Sequence, residues 1–164
     1  PENAKIEMEA IRDALCAADP ENSTVFQSNY EKYAAELDAL DAEFREKLAP
    51  LPNRTIVVAH EAFGYLCDAY GLTQVGIEGL SPDSEPDPGR MAEVIDFVRE
   101  HSISTIFFEE LVSPKVAEAI ASETGAQAKM LSPLEGLSDE QAAAGADYFS
   151  VMHDNLAALM EALN

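Results

Sequence analysis

Apolar residues fall into two textures along the chain. Up to residue 49 they recur at helical spacing. Ile6, Met8, Ile11 and Leu15 predict a first helix over 4–17. Asp19-Pro20 then reads as a restart, with Asp as N-cap and Pro at the first helical position. Phe26, Tyr30, Tyr33, Leu37, Leu40, Phe44 and Leu48 are spaced 4, 3, 4, 3, 4 and 4. That is an apolar stripe along one long helix, with acids on its other faces. Pro50 and Pro52 end it.

From Thr55 the period changes. Thr55–Ala59 is a short, apolar, β-branched run, as in a parallel strand covered on both faces. Gln74–Ile77, Ser104–Phe108 and Ala128–Leu131 predict three more strands. Helical patterns lie between and after them. Phe63–Tyr70 is stopped by Gly71, and a second helix begins at Asp87-Pro88. A third follows Ser113-Pro114, and a last one runs from Tyr148 to Leu163. Strands alternating with helices predict an α/β fold: a four-stranded parallel sheet flanked by helices, with right-handed crossovers. A long N-terminal helix precedes it. The expected division is a helical segment over 1–49 and an α/β lobe over 50–164.

Ligands of open parallel sheets gather at the carboxyl ends of the strands. Here those ends carry His60-Glu61, Glu78, Glu109-Glu110, and Ser132 with Glu135 three residues on. Three readings of this edge stand. An imidazole and carboxylates can bind a borderline divalent ion. A carboxylate orienting His60 could serve acid/base catalysis. The same groups could simply cap helices or form ion pairs. His101 falls at a helix C-terminus, where a cation suits the dipole, and His153 falls on the last helix beside Asp154. Both are expected to be structural. The run Asp83-Ser-Glu85-Pro-Asp87 alternates acids like a calcium loop but has Val94 at position twelve, so it reads as an acidic connector. No phosphate-cradling glycine loop and no nucleophile elbow occurs. Cys16 and Cys67 lie within helical patterns and are expected to be buried free thiols.

Charge narrows the partners. Ten Lys and Arg stand against 31 Asp and Glu, a formal net charge of −21. Nucleic-acid backbone and anionic lipid both need clustered cations, so neither is a partner. A metal cation remains permitted. The 47% apolar content excludes a disordered acidic tail.

Several segments together resemble one family. Arg54–Gly71, with its Val-Val-Ala-His60-Glu-Ala-Phe-Gly-Tyr core, resembles a metal-ligand segment of the zinc/manganese solute-binding receptors of ABC transporters, the TroA-like fold. Ile77-Glu-Gly-Leu-Ser81, Ile106-Phe-Phe-Glu109, Leu134-Glu-Gly-Leu-Ser138 and Asp147–Met152 with Asn155-Leu156 are similar to its later segments. The likeness covers essentially the whole chain.

That resemblance implies two lobes joined by a long helix, with the metal between them. Residues 23–49 would be the joining helix and residues 54–164 the C-terminal lobe, making this chain the second half of a receptor. His60 would be the third metal ligand, and histidine there resembles the zinc-type members. Glu135 would be the fourth, with Ser132 standing where other members carry an Asp. Glu109 would support the site without touching the ion. The implied cargo is Zn2+, with Mn2+ as the alternative. The implied partners are an ABC permease and the N-terminal lobe. The parent would work outside the cell, as a lipoprotein or in the periplasm, and it would make and break no bond. A surface-adhesin role and a small α/β enzyme using His60 with a carboxylate are the competing readings.

Overall fold

The computed structural model of the chain describes residues 1–77, 88–109 and 113–164. These residues form two compact units, Pro1–Lys47 and Leu48–Asn164.

In the first unit, α1 (Glu2–Ala18) and α2 (Ser23–Leu48) flank a 3₁₀ turn, Pro20–Asn22. Lys5 pairs with Asp38 at 2.6 Å, Arg45 with Glu2 at 3.2 Å, and the Arg12 guanidinium stacks over Tyr30. The two helices therefore run antiparallel. The restart differs from expectation. The Asp19 side chain caps no backbone amide and instead accepts from Asn22 Nδ2 at 2.7 Å. The 3₁₀ turn uses Pro20 first, and the α-helix starts only at Ser23. Along α2 the buried positions are Ala34, Leu37, Leu40, Phe44 and Leu48, while Tyr33 is exposed. On α1 the apolar Ile6, Ile11 and Leu15 are all exposed.

The second unit is the α/β fold. Its strands are β1 (Thr55–Val58), β2 (Thr73–Gly76), β3 (Thr105–Phe108) and β4 (Gln127–Met130). All pairs are parallel, in the order β2-β1-β3-β4. The connecting helices are α3 (Gly64–Tyr70), α4 (Pro88–Glu100) and α5 (Lys115–Thr124), followed by α6 (Asp139–Ala143) and α7 (Tyr148–Leu163). The central strands are the apolar ones, as a doubly covered sheet requires. Val57, Ile77 and Ile106 meet Val94 and Val98 of α4 and Ala117 and Ile120 of α5 in one core. Helix α7 packs on β1 and β4 through its own buried residues, among them Val151, Met152, Leu156 and Leu159.

Local chemistry explains most ends. Gly71 and Gly125 stop α3 and α5 in the left-handed conformation. Ser138 and Asp147 open α6 and α7 with reciprocal capping boxes. Ser113 is not the cap of α5; Pro114 holds that position without a side-chain bond. Asp87 lies outside the described residues, as do Glu78, Glu110 and the run 83–87. Arg54 binds the carbonyls of Leu48 and Gly71 at 2.7 and 3.1 Å and also that of Tyr70, so one guanidinium serves the ends of two helices. Both cysteines are free, but only Cys67 is buried; Cys16 is half-exposed.

Candidate metal centre

The strand order reverses between β1 and β3. The chain leaves β1 toward β2, then crosses back to β3 on the other side. Such a switch point opens a crevice at the carboxyl ends of its two strands. His60 follows β1 and Glu109 follows β3. The ladder pairs Val57 with Ile106 and Val58 with Phe107. Continued by two residues, the same register brings His60 beside Glu109.

That pair is deeply buried, at 5% and 2% exposure. His60 Nδ1 stands 3.1 Å from Glu109 Oε1. The contact is close but off axis, and among the described residues neither Glu109 oxygen nor His60 Nδ1 has a directed hydrogen bond. Burial pushes the Glu109 carboxyl above its ordinary range; the adjacent imidazole pulls the other way and does not cancel it.

The other ring nitrogen, Nε2, lies 4.0 Å from Glu135 Oε1. The Glu135 side chain is 58% exposed, so a buried imidazole edge meets a solvated carboxylate there. Two donors on a tetrahedral zinc ion sit roughly 3.3 Å apart, from ligand distances near 2.0–2.1 Å. A small side-chain movement of Glu135 would reach that separation.

Ser132 is differently employed. It is buried, its N–H donates to Asn155 Oδ1 at 2.8 Å, and its carbonyl accepts from Asn155 Nδ2 at 2.8 Å. Its hydroxyl accepts from the Leu134 N–H at 3.1 Å. Glu61 lies over the end of β2, where a Cβ on Gly76 would come within 2.5 Å of its Cγ. His101 stacks on Phe97, and His153 Nδ1 lies 2.7 Å from the Phe149 carbonyl oxygen. Among the described residues no three His, Cys, Asp or Glu side chains converge as a ready metal cage. Asn155 was not among the expected residues. Its signal was a lone amide on the apolar face of the last helix, between Met152 and Leu159.

Comparison with known proteins decides the family. The family model described as zinc-uptake complex component A, periplasmic (ZnuA) matches residues 1–162. The chain belongs to the ZnuA family. Its relatives include the high-affinity zinc uptake system protein ZnuA of Bacillus subtilis, 39% identical over 163 residues, covering 99% of this chain and 51% of that protein. The Zn(II)-bound ZnuA-like domain of Streptococcus pneumoniae AdcA superposes with a TM-score of 0.82 at 41% identity, over 94% of this chain and 58% of that one. The laminin-binding protein Lmb of Streptococcus agalactiae, described as bifunctional with adhesin and metal-transporting activity, gives 0.83 at 36% identity, over 94% and 58%. The chain thus spans about half the length of these ZnuA-type proteins. Its α/β fold is the ZnuA-type fold, and the family is one of solute-binding receptors.

Proposed function

We propose that this chain forms the joining helix and C-terminal lobe of an extracellular zinc receptor, in which His60 Nε2 and Glu135 supply two ligands to the captured ion. The observation that carries this reading is the two-sided use of His60. A carboxylate lies 3.1 Å from Nδ1 on the buried side of the ring, leaving Nε2 to face the cargo. Glu135 stands at near-ligand distance from that same nitrogen. Glu109 is the supporting carboxylate and does not touch the ion. An imidazole with one carboxylate leaves a tetrahedral ion two ligands short, so the shell is completed from the other lobe of the receptor. Zinc is favoured over manganese because an imidazole nitrogen suits zinc while manganese prefers an oxygen set. The receptor captures and delivers its ion to an ABC permease, with no covalent chemistry. Its place is outside the cell, in the periplasm or on a lipid anchor.

Isothermal titration of the chain with zinc tests the reading. The expected result is weak binding that His60→Ala abolishes and Glu135→Ala weakens further while leaving it measurable. Sub-micromolar affinity unchanged by His60→Ala would overturn it. The likeness to Lmb favours one second reading, a receptor that also adheres to host matrix. Binding to immobilised laminin that survives both substitutions would support that added role.

A further inference from the structure

We infer that Asn155 is a positioning residue for Glu135, acting from α7 through Ser132 and Leu134; this rests on Glu135 being a ligand, as proposed above. Asn155 is an amide at 4% exposure on an otherwise apolar helix face. Both of its polar atoms bond the backbone of one residue, and Nδ2 also reaches Met152 Sδ at 3.9 Å. Oδ1 accepts from Ser132 N–H and Nδ2 donates to Ser132 C=O, each at 2.8 Å. The side chain thus imitates a neighbouring strand where the ladder of β4 has already ended.

The clamp acts on a short, shaped loop. Leu131 N–H still donates to the Phe108 carbonyl, so the loop starts from the sheet. Ser132 Oγ then accepts from Leu134 N–H, closing a tight turn. Leu134 sits at φ 65, one of two non-glycine residues with positive φ among the described residues. A γ-branched residue in that region is strained and persists only where its surroundings over-determine it. Asn155 and the Ser132 hydroxyl provide that determination. The next residue is Glu135, whose carboxylate faces His60 Nε2. Backbone direction at Leu134 therefore sets where the ligand points, and a buried amide on another element sets the backbone.

The test is a zinc titration of the whole chain, followed through the His60 imidazole resonances by NMR. Four proteins are compared: the wild type, Asn155→Asp, Glu135→Ala and the double variant. Asp keeps the shape and the acceptor for Ser132 N–H but loses the donor to Ser132 C=O. The expected result is about tenfold weaker zinc binding for Asn155→Asp. In the Glu135→Ala background the same substitution changes nothing further, because the group it positions is gone. A purely structural role would act alike in both backgrounds. Where Asn155→Asp folds poorly, Ser132→Ala is the second arm, expected to weaken zinc binding, with Ser132→Thr restoring it. Wild-type zinc affinity in Asn155→Asp, or in Ser132→Ala where that arm is used, overturns the inference alone, as does an undiminished effect in the double variant. No zinc-dependent change at His60 in the wild type overturns it together with the metal-receptor reading.

Discussion

His60 Nδ1 meets the Glu109 carboxylate at 3.1 Å inside the fold, while Nε2 of the same ring looks toward Glu135 at the surface. One imidazole therefore connects a buried acid to a solvated one. The buried acid costs the fold something. Its folded-state pKa is raised, chiefly by desolvation. Between the ordinary carboxyl value and that raised one, the native state holds more protons than the unfolded chain. Stability contributed by Glu109 thus falls as pH rises through that window. Glu109→Gln should flatten this part of the stability curve, read by urea denaturation at a series of pH values. It should also loosen zinc at His60 by about 10- to 100-fold. A variant with unchanged zinc affinity would remove Glu109 from the site.

Asp147 runs in the opposite direction. The Ser150 backbone N–H bonds its carboxylate at the start of α7 and lowers its pKa. A depressed acid contributes stability above its unfolded pKa and loses it as pH falls through the folded value. Asp147→Asn, which still caps, should leave neutral-pH stability nearly unchanged and blunt the loss in acid. Thermal melts at pH 7 and pH 3 would show it; an equal acid loss in both proteins would contradict it.

Cys67 should be inert in the native state. Burial, with Asp68 nearby, pushes its thiol up to about 11. At pH 8 the thiolate would then be about one part in a thousand. Iodoacetamide mass mapping should find Cys16 modified well before Cys67, and both at similar rates in urea. Equal native rates would show that the core around α3 opens readily.

Gly125 isolates a backbone effect. It holds φ 79 at the end of α5, with nothing within 4 Å of where a Cβ would stand. Gly125→Ala should therefore destabilise by about 1–2 kcal/mol through conformation alone. Gly125→Asn should cost less, since Asn tolerates that region. Chemical denaturation of the two variants gives the comparison.

The β-branched runs at 55–59 and 104–108 were legible because central parallel strands must be apolar on both faces. Edge strands β2 and β4 read less sharply, and each begins one residue earlier than the pattern predicts. The short α6 escaped the apolar pattern because no residue of it is buried, yet its Ser138–Gln141 capping box is written in the sequence. The cap expected at Asp19 failed for a local reason: a side chain able to cap still competes with other partners, and Asp19 bonds Asn22 instead. His60 and Glu109 follow from strand ends, and their contact from register. The Asn155 clamp needed three dimensions, since nothing in a lone polar residue names the backbone it will bind. The left-handed turn at Leu134 carries no glycine to announce it. Exposure of Ile6, Ile11 and Leu15 likewise contradicts their periodic spacing, because periodicity predicts a face and not what covers it.

The register that joins β1 to β3 also bears on the order of folding. His60 and Glu109 are far apart in sequence, with β2 and α4 between them, so their contact closes a long loop. Contacts of this kind close late, after the loop entropy has been spent. An ion bound at His60 as proposed would hold the native state without helping to nucleate it. The expected kinetic signature is a slower unfolding rate with an unaltered folding rate, the cargo then acting as a latch on a finished sheet.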